Sequence, residues 1–130
     1  MPRRVEDWLR QAEKDLKHAR NSIASQDFEW ACFAAQQAAE KALKALYQQL
    51  GGEFIGHSLL KMMRELPADS RPAEPLQARA AALDKLYIPT RYPNGFDSGA
   101  PSDYFDTADA GKAVDDAQAV IEFVRRKIPG

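Results

Sequence analysis

Apolar residues recur at steps of three and four along several stretches of this chain, which is the pattern of helices that bury one face. In the first stretch the apolar positions are Val5, Trp8, Leu9, Ala12, Leu16, Ala19 and Ile23. They predict a helix from about Val5 to Ala24. A polar connection, Ser25-Gln26-Asp27, follows it, with Asp27 as the expected N-cap of the next helix.

The second stretch predicts a helix over about residues 28–50 that carries two adjacent stripes. The first stripe consists of Phe28, Ala31, Ala35, Ala38, Ala42 and Leu46, and the second of Trp30, Phe33, Ala34 and Lys41. Frequent alanine favours helix and lets a neighbouring backbone come close. The two stripes indicate a central helix with neighbours on more than one side, and Gly51-Gly52 is expected to end it.

Prolines delimit the next two predicted helices. A short third helix is expected over about residues 58–66, with Pro67 stopping it. A fourth is expected from residue 71 or 72 to residue 87, with Pro72 and Pro75 in its first turn, where a missing N–H is tolerated.

The segment 88–106 is rich in proline and glycine, so it predicts a long irregular loop of the kind that often carries function. The last helix is predicted from Thr107 to Lys127, with acidic residues at its start and basic residues at its end, as the helix dipole prefers. No alternating strand pattern is present. The sequence therefore predicts an all-α fold, an antiparallel up-and-down bundle of about five helices that forms a single domain over residues 1–130.

Composition and charge bear on the number of domains and on the kind of partner. The chain has 130 residues, 45% of them hydrophobic, which suits one domain with its own core. Lysine and arginine number 18 against 19 aspartates and glutamates, so a surface that binds polyanions globally is not expected, while local basic patches remain open.

The cysteine count, the apolar runs and the Cys/His spacing bear on the compartment and the cofactors. Cys32 is the single cysteine, which excludes an internal disulfide and fits a cytoplasmic protein. No run approaches the roughly 20 apolar residues that span a bilayer, and the first eight residues are typical of neither a signal peptide nor a membrane anchor. We therefore expect no membrane association. No Cys/His spacing suits a metal, and we expect neither a metal nor another cofactor.

Three stretches together resemble the HEPN family. They are residues 8–16 (WLRQAEKDL) followed by Asp27-Phe28, residues 31–46 (ACFAAQQAAEKALKAL), and residues 83–93 (LDKLYIPTRYP). His57-Ser58-Leu59 also fits the family. The resemblance implies a helical bundle, a homodimer, and an association with RNA or nucleotides. Many members are toxins or partners of a minimal nucleotidyltransferase encoded beside them.

The sequence departs from the ribonuclease members of that family. Those members carry an arginine and, a few polar residues later, a histidine on a helix near the C-terminus. Here the only histidines are His18 and His57, and neither follows an arginine at that spacing. The resemblance therefore favours a non-catalytic domain associated with a nucleotide or RNA, the partner of a minimal nucleotidyltransferase in a toxin–antitoxin-like pair. The alternative is an enzyme that cleaves RNA or processes a nucleotide with a non-standard site.

Two basic residues are candidates for ligand binding. Arg91 offers a rigid fork of N–H donors that suits a phosphate, and its alternative role is to clamp a nearby acid, Asp84, Asp97 or Asp103. His57, ahead of the predicted third helix, is a candidate base or anion contact, and its alternative role is that of a cap or a packed polar residue. No catalytic residue is assigned.

Two tyrosines of the irregular loop complete the candidate set. Tyr92 and Tyr104 either stack on a base or pack on the bundle with their hydroxyls bonded. Three further expectations concern the second helix. Glu40, Lys41 and Lys44 are expected to pair with one another or with solvent, Gln36 and Gln37 are expected to face another subunit, and Trp30 is expected in the core or an interface.

The loop is expected to fold back over the bundle and bring Arg91 close to His57, at the start of the third helix. Pro89 and Pro93 stiffen the loop and reduce the entropy lost when it orders. The helix N–H groups and the arginine fork are then expected to converge on one phosphate.

Overall fold

A computed structural model describes residues 4–129 of the chain and shows five α-helices and no strand within that range. The all-α prediction is therefore confirmed. The start of the chain, which we interpreted as neither signal peptide nor anchor, lies partly outside these residues. The helices are α1 (Val5–Ala24), α2 (Phe28–Gln49), α3 (Leu59–Arg64), α4 (Glu74–Asp84) and α5 (Thr107–Lys127).

Helices α1 and α2 form a hairpin around the predicted apolar stripe. The inward face of α1 is buried along its length at Val5, Leu9, Ala12, Leu16 and Ala19. The three-residue connection forces the two helices antiparallel, and Gln26 turns the chain in a left-handed conformation (φ 64°). Asp27 lies at the N-cap position of α2, but its side chain caps no helix N–H. It accepts from Ser25 Oγ at 3.2 Å instead.

The second helix lies at the centre of the bundle, as its two stripes predicted. It packs against α1, α3, α4 and α5. Alanines fill these contacts, and the fully buried ones are Ala31, Ala35, Ala38, Ala39, Ala42 and Ala45. Their small side chains allow neighbours to approach α2 on several sides, which is why one helix can serve as the core of the whole domain.

The fourth helix is shorter than predicted. It runs over Glu74–Asp84 rather than to residue 87, and Pro72 precedes it while Pro75 lies in its first turn. Pro89 has no N–H to bond to the carbonyl of Lys85, four residues back, and its ring crowds that carbonyl, so regular helix is not sustained up to residue 87. Residues 85–91 form turns instead, and Thr90 Oγ1 donates to Leu86 O at 2.6 Å.

Capping groups set the starts of α3 and α5. Ser58 Oγ accepts from Lys61 N at 3.1 Å and begins α3, which is two residues shorter at its end than predicted. Asp106 and Asp109 form a reciprocal capping box at the start of α5, at 2.9 and 3.0 Å. Hydrogen bonds from the N–H groups of α5, above all that of Asp109, lower the pKa of Asp106.

The loop between α4 and α5 is irregular, as predicted, with two short 3₁₀ turns at Pro93–Gly95 and Pro101–Asp103. Within residues 4–129, no helix combines the length and the apolar composition needed to cross a membrane.

Candidate functional site

Two polar side chains of α2 are buried beneath the loop that leads into α3. Gln36 is fully buried and Glu40 nearly so, among the alanines of the same helix. Gln36 Nε2 donates to Glu40 Oε1 at 3.3 Å and to the His57 carbonyl at 3.4 Å. The expectation that Gln36 faces another subunit is therefore wrong, because its amide is used inside its own chain. Gln37 is only partly buried and donates to Gln36 Oε1 at 2.8 Å.

The imidazole of His57 lies against the buried carboxylate of Glu40. His57 Nδ1 is 3.1 Å from each of the two Glu40 oxygens, while its side chain is 52% exposed. Lys44 Nζ lies 3.1 Å from Glu40 Oε2 and shares the same acid. A buried acid thus orients a half-exposed histidine, whose other ring nitrogen, Nε2, has no protein partner within the described part of the chain.

Lys41 pairs elsewhere, in contrast to its two neighbours on α2. Its Nζ lies 2.6 Å from Asp15 of α1, and both side chains are largely buried. Lys41 also donates to Gln37 Oε1 of α2 at 3.3 Å. The predicted pairing among Glu40, Lys41 and Lys44 therefore holds for Glu40 and Lys44 but not for Lys41.

Tyr87 joins His57 to Arg91. The His57 and Tyr87 rings stack with centroids 4.4 Å apart and planes 21° apart. The guanidinium carbon of Arg91 lies 4.6 Å from the centroid of the same tyrosine ring. The loop after α4 thus brings Arg91 and His57 to one aromatic ring, in agreement with the predicted position of Arg91 near the start of α3.

The guanidinium of Arg91 binds a backbone carbonyl and aromatic rings. Its Nε and Nη2 donate to Tyr87 O at 2.9 and 2.7 Å. Its carbon lies 4.3 Å from the Phe33 ring and 5.0 Å from the Tyr92 ring. No carboxylate within residues 4–129 pairs with it, so the predicted clamp on an acid is wrong. Nη1 has no protein partner in that range, which leaves donors of the fork for a ligand.

Asp84 occupies the N–H groups that were predicted to receive a phosphate. Its carboxylate accepts from Leu59 N at 2.7 Å, from Leu60 N at 3.1 Å and from Ser58 Oγ at 3.1 Å. The start of α3 is thereby capped by the end of α4, and the predicted convergence of these N–H groups on one phosphate is wrong. Arg91 and His57 remain as the basic side chains of the site.

The two candidate tyrosines have different surroundings. Tyr92 is half-exposed beside Arg91. Tyr104 stacks on Phe96 with centroids 4.0 Å apart and donates its hydroxyl to Ser98 O at 2.5 Å. Tyr104 is thus satisfied within its own loop, while Tyr87 contacts both His57 and Arg91, and Arg91 contacts Tyr92. We call the group of His57, Tyr87, Arg91 and Tyr92, with Glu40 behind it, the Tyr87 site.

Sequence reasoning missed Glu40 and Tyr87 as members of this site. Glu40 was interpreted as a surface acid, yet it is an acidic residue on an otherwise alanine-rich face, which is the signal that could have indicated a buried partner. Tyr87 was treated only as the last residue of the fourth helix. Its side chain and its carbonyl both contact Arg91.

Cys32 and a groove beside Trp8 lie outside the Tyr87 site. Burial, with smaller effects from the carboxylates of Asp109, Glu29 and Asp106, raises the pKa of the Cys32 thiol from 9.0 to about 12, so it stays protonated and is a poor nucleophile at neutral pH. No group of three or more metal-binding side chains occurs within residues 4–129. A groove of about 800 Å³ lies beside Trp8, between α1 and α2, and does not include the Tyr87 site.

The fold and the Tyr87 site define a small helical-bundle protein in which an arginine and a histidine rest on one aromatic ring. A model of the HEPN domain family matches residues 5–127, and the chain belongs to that family. The comparison with curated proteins gives no match.

Solved structures of HEPN proteins share this fold over nearly the whole chain. The protein TT1696 from Thermus thermophilus is 44% identical, with a TM-score of 0.95 over 98% of this chain and 100% of that one. ST0689, an archaeal HEPN homologue, is 40% identical, with a TM-score of 0.81 over 99% and 100%. An HEPN domain protein from Thermotoga maritima, tm0613, is 31% identical, with a TM-score of 0.76 over 93% and 96%.

Proposed function

We propose that this chain is a non-catalytic HEPN domain that binds the phosphate of a nucleotide or of RNA at the Tyr87 site. The observation that carries the proposal is the contact of both His57 and Arg91 with the single ring of Tyr87. A guanidinium fork and an imidazole that rest on one aromatic ring each offer N–H donors to a phosphate. Both groups are partly exposed, so a ligand can reach them without displacing the core.

Titration of the purified protein with ATP or GTP tests this binding. We expect saturable binding that weakens as salt is added, because attraction between a surface cation and a phosphate is screened. Failure to bind either nucleotide at millimolar concentration, a free energy no better than about −4 kcal/mol, would contradict the proposal.

In this proposal the domain acts as the partner of a minimal nucleotidyltransferase in a toxin–antitoxin-like pair. Support comes from its HEPN family membership and from the absence of an arginine followed by histidine near the C-terminus of the sequence. Co-purification from the native host tests the pairing. Recovery of a nucleotidyltransferase with the chain is the expected result, and recovery of the chain without one contradicts it.

The proposal also includes a symmetric homodimer, which the family resemblance supports. The two faces of α2, which also motivated it, are covered by helices of the same chain and give it no further support. Light scattering at about 10–50 μM, a range that detects interfaces of modest affinity, measures it. A dimeric mass is expected, and a monomeric mass removes this part of the proposal.

One observation favours the alternative, an RNA- or nucleotide-processing enzyme. The half-exposed imidazole of His57 is oriented by the buried Glu40, and an acid that orients a histidine is a common arrangement for a general base. Incubation with mixed RNA decides between the two. Cleavage that is lost in His57→Ala but kept in His18→Ala, a variant of the other, exposed histidine, establishes the enzyme and excludes the non-catalytic role.

A further inference from the structure

Trp30 is a large aromatic side chain that remains half in solvent. It lies in the first turn of α2 and is 50% exposed. Its ring meets Phe33 edge to face, with centroids 6.2 Å apart and planes 73° apart. The indole is therefore held in place on one side by a neighbour of the same helix while much of its surface is open.

Phe33 connects this indole to the Tyr87 site. The guanidinium carbon of Arg91 lies 4.3 Å from the Phe33 ring, and the Phe33 and Tyr87 centroids are 6.1 Å apart. An open aromatic surface and the phosphate-binding cation are thus separated by a single phenyl ring. Nucleotide-binding surfaces combine these two elements, because a base stacks on the aromatic ring while its phosphate meets the cation.

We infer that Trp30 is the base-stacking residue of the Tyr87 site, so that the ligand is a nucleotide whose base rests on Trp30 while its phosphate contacts Arg91 and His57. This inference rests on the proposed phosphate-binding function and adds the position of the base. Tyr92 is the competing platform, since it too is half-exposed, but the Arg91 guanidinium already lies 5.0 Å from its ring.

Comparing ligands with and without a base tests base stacking separately from phosphate binding. AMP and ribose 5-phosphate carry the same phosphate, and only AMP has a base to stack. We expect AMP to bind about 5- to 100-fold more tightly, the range that stacking of one base provides. Trp30→Ala should abolish this preference and leave the affinity for ribose 5-phosphate unchanged, and Trp30→Phe should restore part of it. Tyr92→Ala removes a ring beside Arg91 and should lower the affinity for both ligands alike, so that the ratio between them is kept.

Fluorescence gives a second readout. The chain contains two tryptophans, so the Trp8→Phe variant reports on Trp30 alone. AMP should quench its emission at saturating concentration, and ribose 5-phosphate should not.

Several results would overturn the inference. If AMP and ribose 5-phosphate bind with equal affinity, the base does not stack on Trp30, although phosphate binding is unaffected. The same conclusion follows if the preference for AMP is lost in Tyr92→Ala rather than in Trp30→Ala. If Trp30→Ala changes the mass measured by light scattering and leaves the preference for AMP intact, the indole belongs to a protein interface instead. If neither ligand binds, both the inference and the proposed function are wrong.

Discussion

His57 Nδ1 lies 3.1 Å from both carboxylate oxygens of Glu40, although the two residues are 17 positions apart in the sequence. The acid is buried on the central helix, and the imidazole is half-exposed in the segment that leads into α3. The Lys44 ammonium balances the charge of Glu40 and the Gln36 amide donates to it, while the same carboxylate orients the histidine. Glu40 thus links the interior of the bundle to the candidate binding surface.

Glu40→Gln should lower the free energy of unfolding by about 1–3 kcal/mol, because the partly buried Lys44 loses its anionic partner. Urea denaturation measures this change. Glu65→Gln is the matched control, since the Lys61–Glu65 pair is exposed and 3.9 Å long and should contribute less than about 0.5 kcal/mol. Equal losses in the two variants would show that the buried position of Glu40 has no special effect.

Tyr87→Leu should weaken nucleotide binding at least about fivefold, because His57 and Arg91 lose the ring that sets their relative position. Tyr87→Phe keeps that ring and should bind as the original protein does. Calorimetric titration of ATP compares the variants. A Tyr87→Leu protein that binds with unchanged affinity would mean that His57 and Arg91 are positioned by other contacts.

Asp84→Ala should lower the free energy of unfolding by about 1–3 kcal/mol, since two backbone N–H groups at the start of α3 lose their acceptor. Asp97→Ala, at an exposed acid of the irregular loop, should change it by less than about 0.5 kcal/mol. Thermal and urea unfolding measure both variants. Greater loss from Asp97→Ala would restore the idea that a loop acid anchors Arg91.

The free energy of unfolding should fall as pH rises above about 9, with Cys32 responsible for part of the fall. The unfolded thiol loses its proton near its ordinary pKa of 9.0, whereas the folded thiol keeps it until about pH 12. The unfolded state therefore binds fewer protons in this window, and the group contributes at most roughly 1.4 kcal/mol of lost stability per pH unit. Cys32→Ala should show a shallower decline between pH 9 and 10.5. Parallel declines would contradict the raised pKa.

The sequence predicted the long helices well and the site only in part. The ends of α1 and α5 follow from their apolar stripes, because burial of one face at helical spacing is a local property. In α1 the stripe includes Leu9, Ala12 and Leu16. The end of α4 was missed because turn formation before Pro89 competes with helix propensity. The partners of His57 and Asp84, and the contact of Arg91 with Phe33, depend on which helices pack together, and no spacing along the chain encodes that packing.

Membership of the family does not by itself specify a ligand or a partner. HEPN membership was recognised from residues 31–46 and 83–93, and the family match over residues 5–127 confirms it. The nucleotidyltransferase partner, the homodimer and the nucleotide remain proposals. They concern surfaces such as the one around Arg91, where side-chain chemistry is compatible with either a ligand or a second protein.

Arg91 and Arg71 form a natural pair for the most direct test. Arg71 also donates Nε and Nη2 to one backbone carbonyl, that of Leu66, at 3.2 and 2.7 Å. Each arginine therefore closes its own turn with the same pair of bonds. Only Arg91 adds contacts with Phe33, Tyr87 and Tyr92.

The measurement is ATP affinity and free energy of unfolding for Arg91→Ala and Arg71→Ala side by side. Both variants should lose about 1 kcal/mol of stability, because each loses bonds to a carbonyl. Arg91→Ala alone should weaken ATP binding, by about 10- to 100-fold, the effect of removing a charged hydrogen-bond donor from a phosphate. If ATP affinity is the same in the two variants, Arg91 only stabilises the loop, and the Tyr87 site is not a phosphate-binding site.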